Sequence, residues 1–306
     1  MSDLMGYAHP KYALSLREFG EPRELPHCGG WILVRKIPGT SYKDGMGCYP
    51  LFICREWTRL HEDLKEIESE LVSLVLVTDP FGTADKAYLE RYFQIVKPFK
   101  KHPIVDLCQN PDHYVKKRHR RKARKSLKDL QVEFCDEPFR CADEWIKLYD
   151  NLIMRHNISG IKAFSKNAFL TQMQTPGIIL VVGKLGGEVV GGLLVVIQDK
   201  VAYAHLTAYS DLGYKHSASY GIFWMTLKYL AEQKVRYLDL GGTAGIKENA
   251  QDGLSRFKAG WSNESRIVYL CCRVFNQQKY ESVCRQIKIA NDDYFPAYRS
   301  KKEFGS

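Results

Sequence analysis

The most constraining stretch of this 306-residue chain is Tyr237 to Glu264, YLDLGGTAGIKENAQDGLSRFKAGWSNE. It begins as a short strand over 235–240, in which Tyr237, Leu238 and Leu240 supply apolar, β-favouring side chains. The strand ends at Gly241-Gly242, where backbone can pass close to a ligand or adopt positive φ. A polar loop then runs to Gly253, followed by Phe257-Lys258 and Gly260-Trp261. A strand closed by glycines, with an acid (Asp239) at its end and a lone lysine beside an aromatic downstream, predicts the wall of a cleft.

The rest of the chain must supply the other walls, and its length allows one large domain or two ordinary ones. With 45% hydrophobic and 26% charged residues it is globular, not disordered. The net charge of +10 is local. Lys116, Lys117, Arg118, Arg120, Arg121, Lys122, Arg124, Lys125 and Lys128 follow one another with no acid among them. Such a run implies a local anionic partner, phosphates or nucleic acid, although charge runs are more often simply solvated faces. The nine cysteines contain no C-x-x-C pair, and Cys271-Cys272 are adjacent, so reduced thiols are expected. The nine histidines show no metal-ligand spacing, and no metal is expected. The N-terminal sequence lacks the pattern of a signal peptide, and no apolar run nears the ~20 residues of a membrane helix. The expected location is cytoplasmic.

Read in order, residues 1–30 are rich in Pro and Gly and predict an irregular lead-in. Strands are expected at 31–35, 47–54, 71–77 and 103–107, with helices at 56–71 and 88–96. Asn110-Pro111 is a helix start, so the basic run should be an amphipathic helix packed by Val115, Ala123, Leu127 and Leu130. A strand follows at 131–135, then helices at 144–156 and 166–173. Three strands, 178–184, 189–197 and 201–208, form a meander with tight turns at Gly186-Gly187 and Asp199-Lys200. A helix at 217–233, the Leu238 strand, a strand at 267–275 and a helix at 277–291 complete the order. The tail KKEFGS is expected to be loose.

This order resembles the GNAT acyltransferase fold. The wording LDLGG followed by GLSRFKAGWSNE is similar to the FemAB-like group, in which two GNAT-type modules stand in tandem. The basic segment RHRRKARKSLKDLQVEF resembles the lead into that group's second module. The resemblance covers roughly 116–275 and implies an α/β (α+β) fold with mixed central sheets. It divides the chain into a degenerate N-terminal module (1–112), a basic linking helix (113–130) and a C-terminal catalytic module (131–306).

The resemblance further implies an enzyme, an acyltransferase joining an acyl group to an amine of a sugar, peptide or cell-envelope precursor. Lys258 matches the motif lysine, which would stabilise the tetrahedral oxyanion, and Phe257 matches the aromatic beside it. Asp239, Gly241 and Gly242 match the strand-end turn. Tyr203 would be the cleft-facing aromatic, with His205 two residues on and on the same face. Acyl-CoA, with acetyl as the plainest acyl group, is the implied donor, and aminoacyl-tRNA is the alternative. The connection TAYSDLGYKHSASYG departs from the glycine-rich turn that holds the CoA pyrophosphate in acyl-CoA users.

Amine acylation needs a neutral amine, a polarised carbonyl and a donor within attack distance. Asp239, Glu188 or His205 could take the amine proton. Each residue has a plainer reading: a surface lysine on a helix, a turn-capping Asp239, ordinary strand residues at 203 and 205. Arg118, Arg121 and Arg124 are candidates for bidentate phosphate contact. Two other classes compete. LDLGGTAG resembles the glycine motif of S-adenosylmethionine methyltransferases, but it lies near the C-terminus and not on a first strand. A nucleic-acid-binding module would explain the basic helix and leave the F-K-x-G-W motif unexplained.

Overall fold

The computed structural model describes residues 4–242, 253–287 and 294–300. The polar loop expected before Gly253, the last residues of the helix expected to reach 291, and the tail KKEFGS lie outside the described residues. The chain forms two compact units. The first takes Tyr7–Phe99, Ser159–Ala168 and Val268–Ser306; the second takes Met1–Gly6, Lys100–Ile158 and Phe169–Ile267.

The supposed irregular lead-in is structured. It holds helix α1 (Pro10–Ser15) and strand β1 (Glu21–Leu25), which pairs antiparallel with β2 (Gly30–Lys36). Pro10 opens α1, where a missing N–H costs nothing. Tyr12 and Leu16 are fully buried, and the Tyr12 hydroxyl donates to the Tyr49 carbonyl at 2.6 Å. The strand expected at 47–54 is instead β3 (Lys43–Gly47), paired antiparallel with β2. Its sequence KDGMG carries no strand signature because neighbours fill its side-chain space. A Cβ on Gly45 would stand 2.9 Å from a Leu74 methyl, and one on Gly47 3.0 Å from Phe52. After β3 the chain runs as buried irregular backbone, and Phe52 makes a single bridge to Thr78.

Helix α2 (Leu60–Ile67) carries the chain back to β4 (Leu71–Val77), which lies parallel to β3. A parallel neighbour requires such a crossover, whereas antiparallel strands can be joined by a turn. Leu60, Leu64 and Ile67 recur at helical spacing and pack with Leu71, Leu74, Trp57 and Ile32 in the first unit's core. Helix α3 (Lys86–Tyr92) follows, capped by the Asp85 carboxylate on the Tyr88 N–H. Next comes β5 (Ile95–Asp106), far longer than the strand expected at 103–107.

In the second unit the basic helix is broken. A single turn, α4 (Pro111–Tyr114), is capped by the Asn110 side chain on the Asp112 N–H; α5 (Lys117–Ser126) starts afresh. Val115 is buried at the break, and the Lys116 N–H donates to the Gly260 carbonyl at 3.0 Å. Strand β6 (Gln131–Cys135), helices α6 (Ala142–His156) and α7 (Lys166–Gln172) and strands β7 (Ile178–Leu185), β8 (Glu188–Gln198) and β9 (Val201–Tyr209) follow closely as expected. Gly186 and Gly187 both take positive φ, as the two-residue hairpin turn requires.

A short helix without a sequence signal, α8 (Asp211–Lys215), precedes α9 (Ala218–Glu232); β10 (Tyr237–Asp239) then lies parallel to β9 and antiparallel to β5. Leu193, Val195, Ala202, Val105 and Leu238 form the sheet face that packs on α9 through Ile222, Phe223 and Leu227 and on α5 through Ala123. The pairing of β8 with β9 shifts by one residue: Leu194 faces Leu206 but Val195 faces Ala204, leaving His205 as the extra residue of a bulge.

Helix α10 (Gly253–Lys258), strand β11 (Glu264–Val274) and helix α11 (Gln277–Ile287) complete the order. Residues 270–274 of β11 pair antiparallel with β4, so the first unit is completed by the end of the chain. There the buried Asp44 carboxylate accepts from Arg299 Nε at 2.6 Å, Arg35 Nε at 3.0 Å and the Tyr298 hydroxyl at 3.1 Å. All nine cysteines are free thiols. Among the described residues no helix is long and apolar enough to cross a membrane. The architecture is mixed α/β with mixed sheets, as the sequence implied.

Candidate active site

The end of β10 is held by its neighbours on both sides. Leu238 and Leu240 are buried in the apolar core, so alternation turns Asp239 to the other face, where it is 1% exposed. A carboxylate so buried needs partners. Oδ1 accepts the Gly241 N–H at 2.7 Å, and Oδ2 accepts from His102 Nδ1 at 2.8 Å. The first bond closes the turn, for which Gly241 adopts φ +72°. Asp239 is thus a turn cap and, through His102, the partner of a buried imidazole.

Lys258 closes the site from the other side. At the end of α10, half-buried, it donates from Nζ to the Gly242 carbonyl at 2.6 Å and the Gly241 carbonyl at 3.1 Å. Hydrogen bonds from a charged donor are each worth roughly 1.5–3 kcal/mol, so the ammonium is fixed at the strand end and not splayed into solvent. The sequence brings Asp239, Gly241, Gly242 and Lys258 together as one turn.

The aromatic half of the motif serves a different purpose. Phe257 and Trp261, the latter fully buried, surround His119 of α5 together with Tyr220 of α9. His119 Nε2 donates to the Phe257 carbonyl at 3.0 Å. A Cβ at Gly260 would stand 2.2 Å from that ring, so glycine there is what lets the imidazole in. Burial lowers the pKa of His119, the carbonyl bond opposes this, and nearby Lys116, Lys122 and Arg118 lower it further. Phe257 therefore docks the basic helix onto the helix that carries Lys258.

Tyr203 is buried and pairs with Asp239 in the parallel register of β9 and β10. The bulge removes the ground for expecting His205 on its face. Tyr203 pairs with Val196 and Leu206 with Leu194, so the alternation slips by one and a two-residue offset no longer fixes a common face. Burial pushes the His205 imidazole down to about 3, so it is neutral at physiological pH. Glu188 sits exposed at the far end of β8 from Val196, beside the hairpin turn.

Arg118, Arg121 and Arg124 are exposed on α5, Arg124 at 4.0 Å from Asp112; Lys117 and Lys125 on the helix and Lys116 and Lys128 beside its ends are exposed too. Arg120 is instead bound to Asp112 at 2.9 Å, and Lys122 lies over the Tyr220 ring. The connection from β9 to α9 is filled by α8. A Cβ on Gly213 would meet the Val190 carbonyl at 2.1 Å, so this segment packs on β8 where a glycine-rich turn would stand open.

His102 is the site residue that sequence reading missed. Its segment, KKHPIVD, places His102, Ile104 and Asp106 on one strand face, but a lone histidine says nothing about a partner far along the chain. Two cavities in the first unit, of roughly 300 and 350 Å³, are lined by none of the expected site residues. One group of metal-type donors stands among the described residues, His27, Asp63 and Glu66. Its atoms are already engaged: both Asp63 oxygens accept backbone N–H groups, of His27 and Cys28, and His27 Nε2 bonds Glu66. This group ties a loop to α2.

Residues 114–259 match the sequence model of the acetyltransferase (GNAT) domain. A search of curated proteins finds no match. Among solved structures the chain is similar to FemX, with a TM-score of 0.67 and 16% identity over 89% of this chain and 93% of that one. It is similar to the C-terminal domain of a putative lysylphosphatidylglycerol synthetase from Agrobacterium fabrum, with a TM-score of 0.64 and 14% identity over 88% of each chain. It is also similar to L-PGS from Bacillus licheniformis, with a TM-score of 0.61 and 16% identity over 89% and 94%. At such identities the likeness is one of fold, and that fold is of GNAT type. The matched domain contains α5, the end of β10 and Lys258; His102 lies before it.

Proposed function

We propose that this chain, an acyltransferase whose residues 114–259 form a GNAT domain, moves an aminoacyl group from a charged tRNA to an amine of a sugar, peptide or cell-envelope precursor. The observation that carries the reading is the fixed ammonium of Lys258 at the Gly241-Gly242 turn. When an amine attacks an ester carbonyl, negative charge grows on the carbonyl oxygen. A cation already in place stabilises it without reorganisation. The C–N bond forms, the ester C–O bond breaks, and the terminal ribose hydroxyl of the tRNA leaves with a proton.

The donor follows from α5. Its exposed cations stand on a helix docked through His119 and Lys116 onto the segment around Lys258. Phosphates bound there would place an attached acyl ester in reach of the turn. The packed α8, in place of a pyrophosphate-binding turn, favours this donor over acyl-CoA. So does the name of one fold neighbour, a lysylphosphatidylglycerol synthetase. Acyl-CoA is the second reading, supported by the acetyltransferase description of the matched domain.

We also propose two tandem modules: a degenerate GNAT-like module over 1–112, the basic linking segment over 113–130, and a catalytic module over 131–306. In support, each unit runs antiparallel strands into a helix and then a parallel strand, β3–α2–β4 in one and β9–α9–β10 in the other.

The test is turnover. Purified protein is incubated with charged total tRNA or with acetyl-CoA, and with an amino sugar or a short peptide as acceptor. Amide product with loss of aminoacyl ester supports the reading. Free thiol release with acetyl-CoA alone would transfer the assignment to the second donor. Product from neither donor would overturn acyl transfer.

A further inference from the structure

We propose that His102, held by Asp239, is the group that takes the proton from the attacking amine. This rests on the acyl-transfer reading above and adds to it a residue outside the matched domain. Four observations carry it. His102 is 6% exposed and its Nδ1 lies 2.8 Å from Asp239 Oδ2. A carboxylate only accepts, so Nδ1 carries the hydrogen, and the ring in its neutral form has Nε2 as its acceptor. Nε2 is directed at the turn: a Cβ placed on Gly242 would stand 3.2 Å from it. The carbonyl of that same Gly242 receives the Lys258 ammonium at 2.6 Å. An acceptor nitrogen and a fixed cation thus meet at one glycine, whose lack of a side chain is what lets the imidazole come so close to the turn.

A turn cap alone would not need this arrangement. Asp239 closes the turn with Oδ1, and its second oxygen is spent on fixing the tautomer and orientation of an imidazole. Taking a histidine and an aspartate out of water together is costly, and here their mutual bond and the Gly241 N–H offset that cost. In the step proposed, the amine nitrogen bonds to the carbonyl carbon and loses its proton to Nε2. The tetrahedral oxyanion is held by Lys258. The imidazolium, stabilised by Asp239, then returns the proton to the departing ribose oxygen. Atoms and charge balance without a further reactant. The charged and titratable groups around the turn that His102 meets are Asp239 from β10, bonded to its Nδ1, Lys258 from α10 on the Gly241 and Gly242 carbonyls, Tyr203 opposite Asp239 in the register of β9, and Lys100 on its own strand, whose side chain also lies against Gly242.

The experiment compares the wild type with His102→Gln and Asp239→Asn, using charged total tRNA and a short peptide amine, over a range of pH. Expected is a loss in kcat/KM of about 10²–10⁴-fold for His102→Gln near neutrality. The acid limb of the wild-type pH profile should vanish with it, and the deficit should shrink at high pH as the amine loses its own proton. Asp239→Asn should lower activity and displace the limb. Wild-type turnover with an unchanged limb in His102→Gln would overturn the assignment and leave acyl transfer standing. Absence of wild-type turnover with either donor would sink both. Should His102→Gln fail to fold, nitrogen chemical shifts of the wild-type imidazole decide. The Nδ1–H tautomer with Nε2 bare is required, and an Nε2–H tautomer rules the role out.

Discussion

His119 donates from Nε2 to the Phe257 carbonyl at 3.0 Å, and by this bond the most basic helix of the chain is seated on the residue preceding Lys258. The ring fits only because residue 260 has no side chain. The exposed cations of α5 and the candidate chemistry therefore share one aromatic joint.

Gly260→Ala should break that joint. Its Cβ would stand 2.2 Å from the His119 ring, which is hemmed in by Tyr220, Phe257 and Trp261. Overpacking of this kind costs about 1–3 kcal/mol. The melting temperature should fall accordingly, and tRNA affinity should fall with it. A melting curve superimposable on the wild type would contradict the packing argument.

Lys258→Ala should remove turnover more than stability. Loss of a preorganised oxyanion donor costs about 10²–10³-fold in kcat. The two carbonyls it leaves are at a half-buried turn, where water can replace the ammonium, so destabilisation should stay near ~1–2 kcal/mol. Steady-state kinetics beside chemical denaturation separate the two effects. Lys258→Arg should retain the fold but not full activity, since a planar guanidinium does not reproduce a point charge.

Replacing Arg118, Arg121 and Arg124 together by Ala should weaken charged-tRNA binding and flatten its salt dependence. Each phosphate contact contributes roughly 0.7–0.9 to the slope of log K against log salt. The slope should fall by about 2 to 3, measured by filter binding across salt concentrations. An unchanged slope would mean that this face of α5 does not meet phosphate.

Acidification should destabilise the protein through two of its imidazoles. Both His119 and His205 have folded-state values below the ordinary 6.5, His205 at about 3, chiefly because burial disfavours the charged ring. The unfolded chain then binds more protons than the folded one below about pH 6.5, so stability is full above that value and declines as pH falls. The His205 contribution extends down to about pH 3. His119→Gln, which keeps a donor for the Phe257 carbonyl, should flatten the upper part of the decline in urea titrations at stepped pH.

Most of the second unit, and β4 in the first, was legible because these elements are local and strongly patterned. The strand at 71–77, the meander and the long helices follow from apolar runs, hairpin glycines and caps. Strand β3 was not legible, since KDGMG owes its conformation to the pairing of β2 and to side chains of Leu74 and Phe52. The break before α5 was hidden for a related reason: Lys116 bonds to Gly260, a residue distant in sequence. Within the site, Asp239, Gly241, Gly242 and Lys258 could be named from the motif. His102 could not, because only the pairing of β5 with β10 brings it to Asp239. A shared face of Tyr203 and His205 does not follow across a bulge, which alternation alone does not announce.

The first unit begins near the start of the chain and yet takes β11 against β4, with Leu270 opposite Val77 and the Tyr269 carbonyl receiving the Thr78 N–H. On the ribosome, then, its sheet must wait with one edge of β4 bare until residues 270–274 have been made. Slowing translation between β4 and β11 should prolong that exposed interval and raise the demand for chaperones.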